Sequence, residues 1–445
     1  NNMVNSRKSK VESQCKVSAE TSLLGYAEPQ PDFMSEANKV ASQCKGSLLI
    51  VTDAFPPAFA PRMGALSCNL EKMGWDVTIV AEENKDVHYS MPHLPKKVYK
   101  YNYQSNLSAA QYYYKTFLNL ITAHKTHFFW KKCYKEIKND KFDLVLCSTF
   151  NEFPLNLSYK IAKKWNIPLV CDIRDLVEQF GPNFYSRNQL AHNALNRFFA
   201  QLIRKKRINA RNKIIKKADA ITTVSPWHQE YIRQLNNNVH LIYNGYANDM
   251  FCPAAIKSET FDIIYAGRLL DPQTQNPILL FQAIEELKLE KIRLVWYVDA
   301  ISKEIIKKLL ADYPTAKGIS AIHSLVEADK VPTLLNQSSI VLVLTNKADN
   351  NGPKGIMTTK FFEAIGVEKP VLCVRSDQGC LAQVIQETNA GIAANSVEEV
   401  KSFITLKYKE WQEKGFTRQP ILARHQFSRE NQAKQFVEIF DTLLK

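Results

Sequence analysis

Gly355-Ile356-Met357-Thr358-Thr359-Lys360-Phe361-Phe362-Glu363-Ala364-Ile365 follows the apolar run 340–344 and precedes Pro370-Val371-Leu372-Cys373-Val374. A β-branched run, a polar loop, a Thr-Thr helix start and a second apolar run predict a strand, loop, helix, strand unit. In such a unit the loop at the strand's C-terminal end and the first helical turn face a ligand crevice. Free backbone N–H groups there, with the positive end of the helix dipole, favour phosphate. Lys360 adds a full charge, and Glu363, one turn on, is placed to accept hydrogen bonds from sugar or ribose hydroxyls. A capped surface helix whose Lys and Glu are merely solvated fits the same letters, so both readings stay open here.

The alternation continues on both sides. Strand-like runs at 261–266, 293–298, 319–323 and 391–394 are spaced by helical patterns near 277–287, 302–311 and 327–337. An earlier series begins with Ser47-Leu48-Leu49-Ile50-Val51-Thr52-Asp53, followed by a long loop containing Arg62, a helical pattern at Leu66, Leu70 and Met73 closed by Gly74, and a strand at 75–80. After a blurred aromatic and basic stretch at 89–141 come strand-like runs at 143–149, 167–173 and 220–225, with a helical pattern at 155–165, and residues 239–245 end this first series. Each series predicts a doubly wound parallel sheet. The non-periodic segment 246–260, with Pro253, reads as the linker between them. Two such domains in tandem place a cleft between facing C-terminal strand ends. Arg62, in a loop of that kind, can reach a phosphate or carboxylate, or be a surface Arg beyond a proline-stiffened turn.

Two segments stand outside this alternation. The helical part of 187–217, from Asn196 to Lys217, contains no Asp or Glu and sets Phe198, Phe199, Leu202 and Ile203 beside Arg204-Lys205-Lys206-Arg207. Such a basic amphipathic helix suits an anionic membrane surface better than a purely solvated face. The segment 428–444 is amphipathic, with Phe436, Phe440 and Leu443 on one side.

Lys and Arg number 58 against 44 Asp and Glu, a formal charge of +14 that attracts phosphates, nucleic acid or an anionic membrane. No nucleic-acid module signature is present, so nucleic acid is not an expected partner. The nine cysteines are scattered without a Cys-x-x-Cys pair, and Cys147, Cys171 and Cys373 lie in apolar runs. They read as core residues in a reducing compartment, with neither disulfides nor zinc. No apolar stretch reaches the roughly 18–20 residues of a membrane span. The expected location is cytoplasmic, peripheral at most on the inner face of a membrane. Residues 1–46 are polar and patternless and read as a poorly ordered tail.

Leu49-Ile50-Val51-Thr52-Asp53-Ala54-Phe55-Pro56-Pro57, Trp75-Asp76-Val77-Thr78, Ala218-Asp219-Ala220-Ile221-Thr222-Thr223-Val224-Ser225, Ile242-Tyr243-Asn244-Gly245, Tyr265-Ala266-Gly267-Arg268-Leu269 and Lys360-Phe361-Phe362-Glu363-Ala364-Ile365 stand in the order found in glycosyltransferase family 4. From about Ser47 to Lys445 the chain resembles that family. The resemblance implies an α/β GT-B fold: an acceptor-binding Rossmann-like domain at 47–250, a nucleotide-sugar-binding one at 251–425, and a C-terminal helix at 426–445 crossing back to the first. It implies transfer of a sugar from a nucleoside-diphosphate sugar, as co-substrate and without metal or other cofactor, to a hydroxyl, usually with retention. The acceptor would be a lipid-linked glycan or a polysaccharide.

Carried over by position, Arg268 would contact the donor diphosphate as a catalytic residue, Lys360 would assist it, and Met357, Thr358 and Thr359 would offer N–H groups to the distal phosphate. Glu363 would hold the ribose hydroxyls, and Arg62 would lie near the phosphates. Asp172, Arg174 and Asp175 would stand on the acceptor side, Asp175 orienting the hydroxyl or taking its proton, unless it serves only as a helix cap. The sequence departs from the family twice. Gly355 stands where relatives carry a sugar-contacting Glu, and Gln273-Thr274-Gln275-Asn276-Pro277 replaces a Lys-Gly pair after Gly-Arg. These departures keep a non-catalytic nucleotide- or partner-binding relative open as an alternative, and a nucleotide-sugar epimerase on the same fold is another.

Overall fold

A computed structural model describes residues 44–445 apart from 59, 84–90, 92, 104–106, 150–151, 180–193, 270–274 and 346–353. The tail expected at 1–46 lies outside the described residues up to residue 43, and Lys45–Lys445 form one compact unit.

The unit holds two parallel sheets. In the first, β1 (Gly46–Thr52), β2 (Trp75–Glu82), β3 (Lys97–Tyr101), β4 (Leu144–Thr149), β5 (Leu169–Ile173), β6 (Ala220–Thr223) and β7 (Val239–Leu241) lie in the order β3-β2-β1-β4-β5-β6-β7. In the second, β8 (Phe261–Ala266), β9 (Ile292–Val298), β10 (Ser320–Ser324), β11 (Ile340–Leu344), β12 (Val371–Val374) and β13 (Gly391–Ala394) lie in the order β10-β9-β8-β11-β12-β13. Every pairing is parallel; Ile50, for example, sits opposite Ile79 on one side and Leu146 on the other. Central strands such as Leu144–Thr149 and Ile340–Leu344 are buried along their whole length, because helices cover both faces of a parallel sheet. In both sheets the strand order reverses beside the first strand, between β1 and β4 and between β8 and β11. Ligand crevices form outside such switch points.

The helices of the first half are α1 (Pro61–Lys72), α2 (Ala109–Thr122), α3 (His124–Ile137), α4 (Leu155–Trp165), α5 (Ala194–Ile215) and α6 (Pro226–Arg233). Those of the second are α7 (Ile278–Glu286), α8 (Ala300–Leu309), α9 (Pro314–Gly318), α10 (Val331–Gln337), α11 (Thr359–Gly366), α12 (Cys380–Glu387), α13 (Val397–Lys414) and α14 (Arg429–Leu443). The blurred stretch resolves into β3, α2 and α3. Its pattern was faint because β3 is a half-buried edge strand and α2 turns large apolar residues outward. The helices α12 and α13 had no counterpart in the sequence pattern, and within 239–245, the end of the first series, the strand spans Val239–Leu241.

The C-terminal helix α14 returns to the first half and packs on α1. Ala433, Phe436 and Phe440 join Leu66, Leu70 and Trp75 in one core layer, with Phe440 edge-on to Trp75 at 5.4 Å. Burying each aromatic ring contributes about 1.5–3 kcal/mol. The chain passes itself just before this helix: Tyr246 N–H donates to the Phe427 carbonyl at 3.0 Å and accepts at its own carbonyl from Arg429 N–H at 2.9 Å.

No helix among the described residues is long and apolar enough to cross a membrane. The described cysteines are all unbridged, with Cys133, Cys147, Cys171 and Cys373 in the core.

Candidate functional site

At the second switch point the loop after β8 and the start of α11 meet. Gly267, at φ 133°, lies under the Lys360 side chain, where an added Cβ would stand 2.4 Å from Lys360 Cε and 2.7 Å from Nζ. The Lys360 ammonium sits 5.3 Å from the centre of the Tyr265 ring and has neither a hydrogen bond nor an ion pair among the described residues. Burial lowers its pKa, against the opposing pull of Glu363. Glu363, on the same helix face, also finds no side-chain partner among the described residues, and burial pushes its carboxyl up to about 7 although Lys360 and Arg429 pull the other way. Arg268 is 59% exposed and 3.5 Å from Asp299, which caps α8 by accepting from Ser302 N–H. Tyr265 holds the loop by donating its hydroxyl to the Arg268 carbonyl at 2.8 Å. Helix α11 follows Thr358, whose side chain caps no N–H group although its carbonyl accepts from Phe361 N–H at 3.2 Å.

At the ends of the first sheet the expected residues divide. Arg174 pairs with Asp53 of the loop after β1 at 2.6 Å. Asp175 is half-buried, accepts from Gln179 Nε2 at 3.0 Å, and has its pKa raised by burial. Gln179 in turn contacts His228, whose other ring nitrogen lies 2.9 Å from Ser225 Oγ. Burial, and next the Arg211 charge, lower the His228 pKa to about 4, so this ring is neutral. Arg62 and Asp172 are drawn away from the crevice. Arg62 is 5% exposed and gives its N–H groups to Asp172 and to the carbonyls of Ile242 and Tyr243. Asp172, fully buried, also accepts from Ser148 and Thr222. A guanidinium so engaged has little left for a phosphate, and this carboxylate faces no solvent.

The two sets of strand ends face each other across contacts from the loop after β11. Lys354 N–H donates to the Gln179 carbonyl at 3.1 Å, and Asn244 Nδ2 to the Met357 carbonyl at 3.4 Å. Gly355, at φ 65°, is pressed against the first half: an added Cβ would stand 2.7 Å from Ser225 Oγ and 2.9 Å from Trp227 Cβ. A longer side chain at this position meets the opposite wall. Gln273 and Thr274 lie outside the described residues.

The basic helix α5 is more inward-facing than its composition suggested. Arg211, 1% exposed, pairs with Glu178 at 2.5 Å, Arg207 lies 3.4 Å from Glu152, and Arg204 donates to the Val177 carbonyl. Lys205, Lys206 and Lys213 are exposed, with Phe198 and Leu202. Asp53, Gln179, His228, Ser225 and Asp299 were not singled out from the sequence, since each matters through a partner at least three residues away. The described residues contain no group of three or more His, Cys, Asp or Glu side chains placed to hold a metal ion.

Residues 62–249 match the model of Glycosyltransferase Family 4. No curated protein matches the chain. Among solved structures, it is similar to a sucrose-phosphate synthase from Thermosynechococcus elongatus, at 14% identity and TM-score 0.62, covering 90% of this chain and 99% of that one. It is similar to a glycosyltransferase from Rickettsia africae, at 16% identity and TM-score 0.58, covering 90% and 99%. HepE of Anabaena, solved in complex with UDP-glucose, is similar at 14% identity and TM-score 0.58, covering 89% and 100%. The two facing parallel sheets and the returning helix are the GT-B fold. Its residues 62–249 carry a glycosyltransferase family 4 domain.

Proposed function

We propose that the chain moves a sugar from a nucleoside-diphosphate sugar to an acceptor hydroxyl, with the donor held by the half beyond residue 250 and the acceptor by the half before it. The observation that carries this reading is the pair Lys360 and Glu363: an ammonium with no ion pair and a carboxylate with no hydrogen-bond donor among the described residues, one turn apart at a switch point. A diphosphate meets the first, ribose hydroxyls the second. As the bond from the anomeric carbon to the diphosphate breaks, negative charge grows on the leaving oxygen. Arg268, Lys360 and the N–H groups at 357–359 stabilise it without a metal, each donor contributing on the order of 3 kcal/mol. The acceptor hydroxyl forms the new bond to that carbon, and Asp175, its pKa raised by burial, takes the proton. The acceptor enters on the face from which the diphosphate departs, so the configuration is retained. Arg62 and Asp172 act as a buried brace rather than as ligand contacts, and Arg174 with Asp53 shapes the acceptor wall.

The acceptor is a lipid-linked or polysaccharide glycan, met at the inner face of a membrane that the exposed lysines of α5 help to approach. A thermal-shift series with UDP, GDP, CMP and TDP, with and without magnesium, tests the donor site. UDP comes first because the HepE structure holds UDP-glucose. Ligand at about 100 times its Kd adds roughly 2.7 kcal/mol. The expected result is a metal-independent shift of several degrees with one nucleotide, lost in Arg268→Ala and Glu363→Ala. No shift with any nucleotide favours the non-catalytic alternative, for which the tight packing at Gly355 is the supporting observation.

A further inference from the structure

Among its described side chains, helix α2 turns its lysine inward and three large apolar residues outward. It begins with a capping box between Ser108 and Gln111. Its one charged residue, Lys115, turns inward, donating to the Tyr103 carbonyl at 2.7 Å with its ammonium 4.8 Å from the centre of the Tyr103 ring. Asn119 also faces inward and accepts from Lys125 N–H at 3.0 Å. Outward, at helical spacing on one stripe, stand Tyr114 (65% exposed), Phe117 (62%) and Ile121 (62%). Folding does not require large apolar side chains at these positions; polar ones would cost the core nothing. A contiguous exposed apolar stripe on an otherwise polar surface marks a contact site.

The surrounding charge selects the partner. Helix α2 contains no Asp or Glu. After the single left-handed residue Ala123, helix α3 presents exposed Lys131, Lys132 and Lys135 against one exposed acid, Glu136. Helix α5, also without acids, exposes Phe198, Leu202 and Lys205 at one-turn spacing. With a formal charge of +14 on each chain, two copies repel at close range, whereas an anionic surface is attracted. Apolar and aromatic residues beside lysines suit the headgroup boundary of a bilayer, where Tyr keeps its hydroxyl wet and Phe and Ile enter the acyl region.

We propose that the outer face of α2 is the membrane-seating surface of this protein, entering the headgroup layer of an anionic bilayer while the lysines of α3, which packs against α2, hold the phosphates. This rests on the proposed function only in that it brings the acceptor half to a lipid-borne acceptor; donor binding is independent of it. The test is flotation of the full chain with phosphatidylcholine vesicles, with and without phosphatidylglycerol, at low and high salt. Wild type should bind the phosphatidylglycerol vesicles in a salt-sensitive manner. The combined variant Tyr114→Ser, Phe117→Ser and Ile121→Ser should bind at least about tenfold more weakly, tenfold being 1.4 kcal/mol, with an unchanged melting temperature and nucleotide-induced shift. A fluorophore placed through Phe117→Cys should shift to the blue on adding the same vesicles, a readout that survives if the triple variant folds poorly. Equal binding by the triple variant, no binding by wild type, no spectral shift, or a wild-type dimer that the triple variant dissolves would each overturn the proposal. The thermal shift with nucleotides reports on the donor site regardless of which occurs.

Discussion

Arg62 clasps Asp172 through two parallel hydrogen bonds, Nε to Oδ2 at 3.1 Å and Nη2 to Oδ1 at 2.9 Å, with both side chains closed off from water. The pair ties the start of α1 to the end of β5, and through the Ile242 and Tyr243 carbonyls it also holds the segment leading to the second half. Phe436 of α14 lies 5.5 Å from the guanidinium. Asp172→Ala leaves that guanidinium buried and uncompensated and should cost about 3–5 kcal/mol, read from urea denaturation. Burial alone would raise the Asp172 pKa, but the Arg62 charge and its hydrogen bonds bring it below the ordinary 3.8. Its stabilising contribution is therefore complete above the unfolded value and is lost as pH falls through the lower folded one. Acid denaturation curves of wild type and Asp172→Asn should differ in that range.

Glu363 has the opposite sign. Its folded pKa of about 7 exceeds the ordinary 4.5, so between these values the folded chain binds a proton that the unfolded chain has released. Stability should decline as pH rises through this window, and Glu363→Gln should remove the slope. Nucleotide affinity should move the other way, rising as pH passes about 7, because ribose hydroxyls donate to the charged carboxylate. Calorimetric titrations across pH check both halves of the statement.

Gly267 and Lys360 share one space. Gly267→Ala adds a Cβ at 2.4 Å from Lys360 Cε, on a backbone at φ 133°. The side chain must swing out, and nucleotide affinity should fall by roughly as much as in Lys360→Met, about tenfold or more, since a hydrogen bond to a charged group contributes about 1.5–3 kcal/mol. Near-equal losses in the two variants, measured by calorimetry, would support this; a Gly267→Ala variant with full affinity would refute it.

Gly355→Ala should separate the halves. Its Cβ meets Ser225 Oγ at 2.7 Å and Trp227 Cβ at 2.9 Å, and φ 65° is unfavourable for alanine. The expected cost is on the order of 1–3 kcal/mol, accompanied by a larger radius of gyration in small-angle scattering. Gly355→Glu should not restore a sugar contact, because the opposite wall is already there.

The alternation of short β-branched runs with helical spacing made both sheets legible, because parallel strands buried on both faces are nearly continuous in apolar letters. The edge strand β3 and the outward apolar residues of α2 broke that relation between pattern and burial, so the letters at 89–141 showed no period. Within the site, the nearness of Lys360 and Glu363 was legible from their spacing on one helix, whereas the contacts of Lys360 with Gly267 and Tyr265 and of Arg268 with Asp299 join positions far apart in sequence. Arg62 was misplaced for this second reason: its fate is set by Asp172, 110 positions away, and an arginine in a ligand loop reads alike whether it faces a phosphate or a buried carboxylate. The glycine at 355 looked like a loss of function in the letters, whereas the structure gives it a steric cause on the opposite wall.

The return of α14 to α1 sets a timetable for synthesis. Strands β1 and β2 and helix α1 emerge from the ribosome well before Ala433, Phe436 and Phe440, which complete their layer from roughly 350 positions further along the chain. At about 5–20 residues per second the interval is on the order of tens of seconds. Throughout it the nascent first half presents an open greasy strip to the cell, a natural target for chaperones. A translational pause between α1 and α14 would lengthen that exposure without altering one residue of the product.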